Sequence, residues 1–240
     1  MRSALLSLHG FTMNGPSLRR HLGELEPRLS KHVDLVFPNA PHTASEASVL
    51  ALLQRMGGTR SAPPQLEWWN ASDDGRVYQG WEATRESLRT EVLRHPAAGL
   101  LGFSQGAAVA AAVAALACRG AFPPLSFVVL VAGFAPRSAE LLPLLDEPLT
   151  IPSLHIWGQD DAFAKHGPGL ASKFSSLTRR IVTWKGGHSV PASGDAADAI
   201  VEFVRNHAAD VAAFPPGRGP GDAGSGTGGA PPAGHSDEGA

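Results

Sequence analysis

The chain has 240 residues, a length that admits one large or two small domains. Lysine and arginine number 20 against 22 aspartates and glutamates, a formal charge of −2, so no chain-wide field draws it to nucleic acid or anionic lipid, and no nucleic-acid partner is expected. With 43% hydrophobic and 18% charged residues it has the content of a core-forming protein, and the single cysteine, Cys118, excludes an internal disulfide framework and a multi-cysteine zinc site. A reducing, cytoplasmic setting is the simplest expectation.

The first apolar run, Ala4 to Leu8, is too short for the h-region of an export signal and reads as a strand. Further strands are expected at Val33 to Phe37, Gly99 to Phe103, Phe127 to Ala132, Ser153 to Trp157 and Arg180 to Trp184. Helical periodicity places helices at Ser17 to Leu25, Ser45 to Met56, Trp81 to Leu93, Gln105 to Cys118, Ser138 to Leu145, Phe163 to Leu177 and Asp195 to Asn206. Between Phe37 and Trp81 the chain is longer than a bare crossover needs and carries Pro63, Pro64, Trp68, Trp69, Asp73, Asp74, Gly75 and Tyr78. Such an aromatic excursion serves as a binding loop or packs over the sheet edge.

Short apolar strands alternating with helices are the pattern of a parallel sheet with crossover helices, and the strands' nearly continuous apolarity fits a sheet covered on both faces. One α/β domain over residues 1–210 with about six mostly parallel strands is therefore expected. Residues 211–240 are expected to be a disordered Gly/Pro/Ala-rich tail, since Pro215 to Ala240 holds nine glycines and five prolines. The least charged window, Ala97 to Cys118, is long enough to span a bilayer, but Ser104, Gln105 and several glycines interrupt it, so no stable membrane insertion is expected.

The chemistry centres on Gly102-Phe103-Ser104-Gln105-Gly106, a G-x-S-x-G between an apolar strand and an alanine-rich helix. In that context the serine hydroxyl projects above the sheet, and flanking glycines admit the close backbone approach. A serine nucleophile needs a histidine base and a carboxylate to orient it, following in the order serine, acid, histidine. Of the histidines after Ser104, His155 lies inside a strand run, His207 at the end of the final helix and His235 in the tail. His188, in Lys185-Gly186-Gly187-His188-Ser189 just past the last strand, is the expected base. The strand Ser153 to Trp157 ends in Gly158-Gln159-Asp160-Asp161, and its position alone does not separate the two carboxylates. Asp146, Asp195 and Asp198 are weaker candidates, lying on a helix-to-strand connection or at a helix start. The amides of Gln105 and of Phe11, in Leu8-His9-Gly10-Phe11-Thr12, are the expected oxyanion donors. His9 is expected to fix that loop by hydrogen bonds.

Leu8-His9-Gly10-Phe11 with Asn14-Gly15, Gly102 to Ala107, Gly158-Gln159-Asp160-Asp161, Gly187-His188, Trp68-Trp69-Asn70 and Tyr78-Gln79-Gly80 together resemble the FSH family of serine hydrolases, over nearly all of residues 4–207. The resemblance implies an α/β-hydrolase fold, hydrolysis of carboxylic esters or thioesters of acyl chains through an acyl-enzyme, and Ser104, Asp161 and His188 as a triad; it is what favours Asp161 over Asp160. The acyl-protein thioesterases and carboxylesterases share G-F-S-Q-G and a strand-end G-x-x-D, while Asn14-Gly15 and the aspartate-rich loop after Trp69 lean to the first group. Such an enzyme needs no metal or organic cofactor. The acyl group is expected against Met13, Trp68, Trp69, Phe134 and Phe163. A rival reading is a catalytically silent α/β-hydrolase fold that binds ligands in its cavity.

Overall fold

The computed structural model describes residues 2–56, 60–72, 74–95 and 97–212. Among the described residues ten strands form in chain order: β1 (Ala4–Leu8), β2 (Asp34–Val36), β3 (His42–Thr43), β4 (Leu66–Glu67), β5 (Asn70–Ala71), β6 (Tyr78–Gln79), β7 (Ala97–Phe103), β8 (Phe127–Val131), β9 (Ser153–Gly158) and β10 (Arg179–Trp184). The helices are α1 (Gly15–Leu22), α2 (Leu25–Leu29), α3 (Glu46–Met56), α4 (Trp81–Arg94), α5 (Gln105–Cys118), α6 (Gly167–Ala171) and α7 (Gly194–Ala212).

The main sheet has six strands in the order β10-β9-β8-β7-β1-β2, and every neighbouring pair runs parallel. Successive side chains alternate between two apolar layers: Leu6, Leu8, Leu100, Val128 and Leu130 face one, and Leu5, Leu101, Phe103, Val129 and Val131 the other. Helices α4 and α5 cover the first layer, and α1, α2 and α7 the second. This two-sided cover explains the unbroken apolarity of the strands. It also explains α5, buried at every residue from Gln105 to Leu116 and therefore apolar all round. No described helix is long and apolar enough to cross a membrane.

Local chemistry sets the helix boundaries. Asn14 caps α1 by accepting from the Ser17 amide at 2.8 Å while Ser17 Oγ accepts from the Asn14 amide, and Gly23 at φ 51° ends the helix, so the expected Ser17 to Leu25 helix divides into α1 and α2. Two expected helices are corrected. Ser138 to Leu145 shrinks to a 3-10 turn at Leu142–Leu145, since Pro143 cannot sit in a helix interior. Phe163 to Leu177 becomes a 3-10 turn at Ala164–His166 followed by the short α6, which Pro168 opens. Beyond it the chain is drawn out of helix because Leu149 pairs with it in both directions, its amide donating to the Lys173 carbonyl and its carbonyl accepting from Ser175. At the C-terminal end α7 extends past the expected Asn206 to Ala212; the rest of the expected tail lies outside the described residues, as do His235 and Asp73.

The excursion before α4 forms two small antiparallel ladders, β3 with β4 and β5 with β6. It packs back against the loop after β1, the Thr12 amide donating to Leu66 O at 2.9 Å and the Leu66 amide to Met13 O at 3.0 Å.

Candidate active site

From β1 the chain crosses to β2 on one side and returns to β7 on the other, so β1 and β7 flank the point where strand order reverses. Loops leaving the carboxyl ends of two such strands diverge and open a crevice between them. Here those loops carry His9 to Thr12 and Ser104.

Ser104 has φ 55° and ψ −116°, a conformation that costs a non-glycine residue about 1–3 kcal/mol. Its amide donates to Val131 O at 2.9 Å, and its carbonyl accepts from Ala107 and Ala108 at 3.0 and 3.3 Å, so strand and helix together impose the bend. Both flanking glycines are required by space. A Cβ on Gly102 would lie 2.6 Å from Ala107 Cα, and one on Gly106 would lie 2.6 Å from the His9 carbonyl oxygen.

His188 reaches this serine from the loop after β10. Its Nε2 lies 2.9 Å from Ser104 Oγ and its Nδ1 2.8 Å from Asp161 Oδ2, which fits a hydroxyl donating to Nε2 while Nδ1–H donates to the carboxylate. The Asp161 side chain is wholly shielded from solvent, and its second oxygen accepts from the Phe163 amide at 2.7 Å. Asp160 is exposed, but its amide donates to Gly186 O at 3.0 Å, and the Gln159 amide donates to Trp184 O at 2.8 Å. These bonds bind the acid loop to the histidine loop. A Cβ on Gly158 would lie 2.6 Å from the Gly187 carbonyl oxygen, so the two loops touch with nothing between them.

Among the described residues the amides of Phe11 and Gln105 donate to no protein acceptor. The loop bearing Phe11 is fixed by His9, whose Nδ1 bonds Gly10 O at 2.9 Å and whose Nε2 accepts from the Ala40 amide at 3.0 Å. Burial holds this imidazole down at about 4, against the backbone bond to Gly10, and keeps it a neutral acceptor.

The other expected contacts separate. Phe163 lies beside the site, its ring centroid 5.3 Å from that of His188. Met13 is half-buried and packs near Gly10, and Phe134 is half-buried against the α5 layer. Trp68 and Trp69 are corrected: at 0% and 1% exposure their rings offer no surface to an acyl chain. Trp68 instead donates Nε1–H to His9 O at 2.8 Å, and Trp69 stacks on Tyr78 with centroids 4.4 Å apart. Two other histidines that follow Ser104 bond elsewhere: His155 is buried in β9 beside Ser153, with burial pushing it down to about 3, and His207 bonds the Phe203 carbonyl.

Three contributions escape sequence reasoning. The Gln105 side chain accepts from the Trp68 amide at 3.0 Å and donates to Trp69 O at 2.9 Å, fastening the excursion to the serine turn. His21 on α1 accepts from the Val190 amide at 3.2 Å and steadies the histidine loop; burial and the neighbouring His188 hold it below the ordinary imidazole range. The Arg55 guanidinium lies over Phe163. None of these pairings has a sequence motif, because each joins residues far apart in the chain. Among the described residues no group of three or more His, Cys, Asp or Glu side chains could hold a metal ion.

Comparison with known proteins agrees with this architecture. The family model described as Serine hydrolase (FSH1) matches residues 1–200. Esterase AAEL000016 of Aedes aegypti is 33% identical over 84% of this chain and 74% of its own length. Esterase OVCA2 of Mus musculus is 34% identical over 83% of this chain and 94% of its own. The crystal structure of esterase PE8 superposes with a TM-score of 0.58 at 23% identity, covering 85% of this chain and 92% of that one, a likeness of fold. The bend at Ser104 therefore sits in an α/β-hydrolase fold, and the chain belongs to the FSH1 family of serine hydrolases.

Proposed function

We propose that this serine hydrolase cleaves carboxylic esters or thioesters of acyl chains, with Ser104 as nucleophile, His188 as general base and acid, and Asp161 as the group that orients the imidazole. The observation that carries the reading is the continuous line of hydrogen bonds from Asp161 through His188 to Ser104, at 2.8 and 2.9 Å. As Ser104 Oγ attacks the acyl carbonyl, its proton passes to His188 Nε2, and the carbonyl oxygen becomes an oxyanion held by the Phe11 and Gln105 amides. Collapse of the tetrahedral species expels the alcohol or thiol, which takes the proton from Nε2 and leaves an acyl-Ser104. Water then repeats the sequence and releases the acid. The esterase names of the relatives support an ester substrate. The half-buried Met13, Phe134 and Phe163 are the apolar surfaces for the acyl part, and the lone Cys118 fits a cytoplasmic setting.

A fluorophosphonate probe tests this directly. Covalent addition at Ser104, abolished in Ser104→Ala, together with hydrolysis of acyl esters or thioesters, is the expected result. Folded wild-type protein that takes up no probe and hydrolyses neither would leave a binding protein on a hydrolase fold. Oxygen and sulfur esters of the same acid, assayed side by side, identify the leaving group.

A further inference from the structure

Some arginines pair with carboxylates, Arg19 with Glu26, Arg28 with Asp198, Arg85 with Glu82 and Arg180 with Glu202. Among the described residues Arg55 and Arg137 make no such pair, nor do Arg20, Arg76, Arg89, Arg119 and Arg205. Arg55, from the last turn of α3, holds its guanidinium 4.8 Å from the centroid of Phe163, the ring that lies 5.3 Å from the His188 ring. His166 lies on the same ring, with centroids 6.1 Å apart. Burial first, and then the charges of Lys165, Arg137 and Arg55, hold its imidazole below the ordinary value. Among the described residues none of the three forms an ion pair. The carboxylate that pulls His166 the other way, Asp161, is engaged by His188.

An aromatic face attracts a guanidinium without neutralising it, so Arg55 keeps its full capacity for a carboxylate or phosphate. The whole chain carries a formal charge of −2, and this rim is therefore a local feature. Resting on the hydrolase reading above, we propose that the substrate is an anionic ester or thioester: its carboxylate or phosphate sits on Arg55 near Lys165, the chain neighbour of His166, its apolar part crosses Phe163, and its acyl carbonyl meets Ser104.

The experiment compares matched esters. Anionic acyl groups are represented by the mono-4-nitrophenyl ester of glutaric acid against 4-nitrophenyl butyrate, and anionic leaving groups by 4-butyryloxybenzoate against phenyl butyrate, each ratio corrected for spontaneous hydrolysis. One pair should give a ratio of kcat/KM, anionic over neutral, of roughly tenfold or more, expressed in KM and shrinking as salt is added. The pair that responds identifies the side of the scissile bond carrying the charge. Arg55→Gln with Lys165→Gln should bring that ratio towards one, and Arg55→Lys should retain part of it. Neutral esters hydrolysed as well as anionic ones overturn the inference while the hydrolase stands, as does a ratio that survives in the double variant. No hydrolysis of any ester overturns both.

Discussion

Asp160 and Asp161 are the same chemical group on adjacent residues, and the loop gives them different surroundings. The amide of Asp160 is tied to Gly186, while the Asp161 carboxylate turns inward, braced by the Phe163 amide against His188. Asp161→Asn should therefore reduce kcat by about 10⁴-fold, the scale expected when the orienting carboxylate of such a triad is neutralised. Asp160→Asn should stay within a few-fold of wild type, and a steady-state assay of both variants that returned the opposite order would move the role to Asp160. The serine was legible in the sequence because its strained bend needs small neighbours, and that need leaves a pattern in adjacent positions. Nothing in the strand-end sequence separated the two aspartates, since a loop permits either orientation; only the family resemblance favoured Asp161. Trp68 and Trp69 misled for a related reason: an aromatic ring lines a binding surface or fills a core with the same composition, and their full burial settles them in the core.

At the scale of elements, the junction of β7 with α5 works by backbone contact. A Cβ at Gly106 would press into the carbonyls at the end of β1, so Gly106→Ala should cost about 1–3 kcal/mol in denaturant unfolding and should displace the loop that carries Phe11. Gly169 is the useful contrast, since in α6 it has open space around its Cα and no positive φ. Gly169→Ala should hold or raise stability by up to about 1 kcal/mol, and equal losses at the two sites would show that crowding is not what Gly106→Ala costs. The six strands of the main sheet were readable from apolar runs, and α5 from its alanines, but the two-residue strands β3 to β6 of the excursion were not, having no apolar run of their own. The segments around Pro143 and Pro168 were not readable as drawn, because their helical periodicity yields to proline geometry in one case and to pairing with Leu149 in the other. Strand order also left no local mark, being decided by which long crossovers return to which side of β1.

For the whole molecule, the buried histidines set a response to acid. His9 is held at about 4 and His155 at about 3, both lowered from 6.5 chiefly by burial. Below pH 6.5 the unfolded chain takes up these protons while the folded chain refuses them. Stability should be fully present above 6.5 and fall as pH drops towards 4 and then 3, with a limiting slope of about 1.4 kcal/mol per pH unit for each histidine. Denaturant midpoints measured across that range check it, and His155→Gln should make the decline shallower; a profile flat from 6.5 to 4 would mean that both imidazoles gain protons without unfolding. The sheet order carries a consequence for synthesis on the ribosome. Of the strands of this sheet β1 is made before the others and lies between β2 and β7, so its second edge stays bare until residue 103 has left the exit tunnel. Throughout that interval the nascent chain presents an apolar ribbon with one side unmatched, an edge that a chaperone bound there would shield.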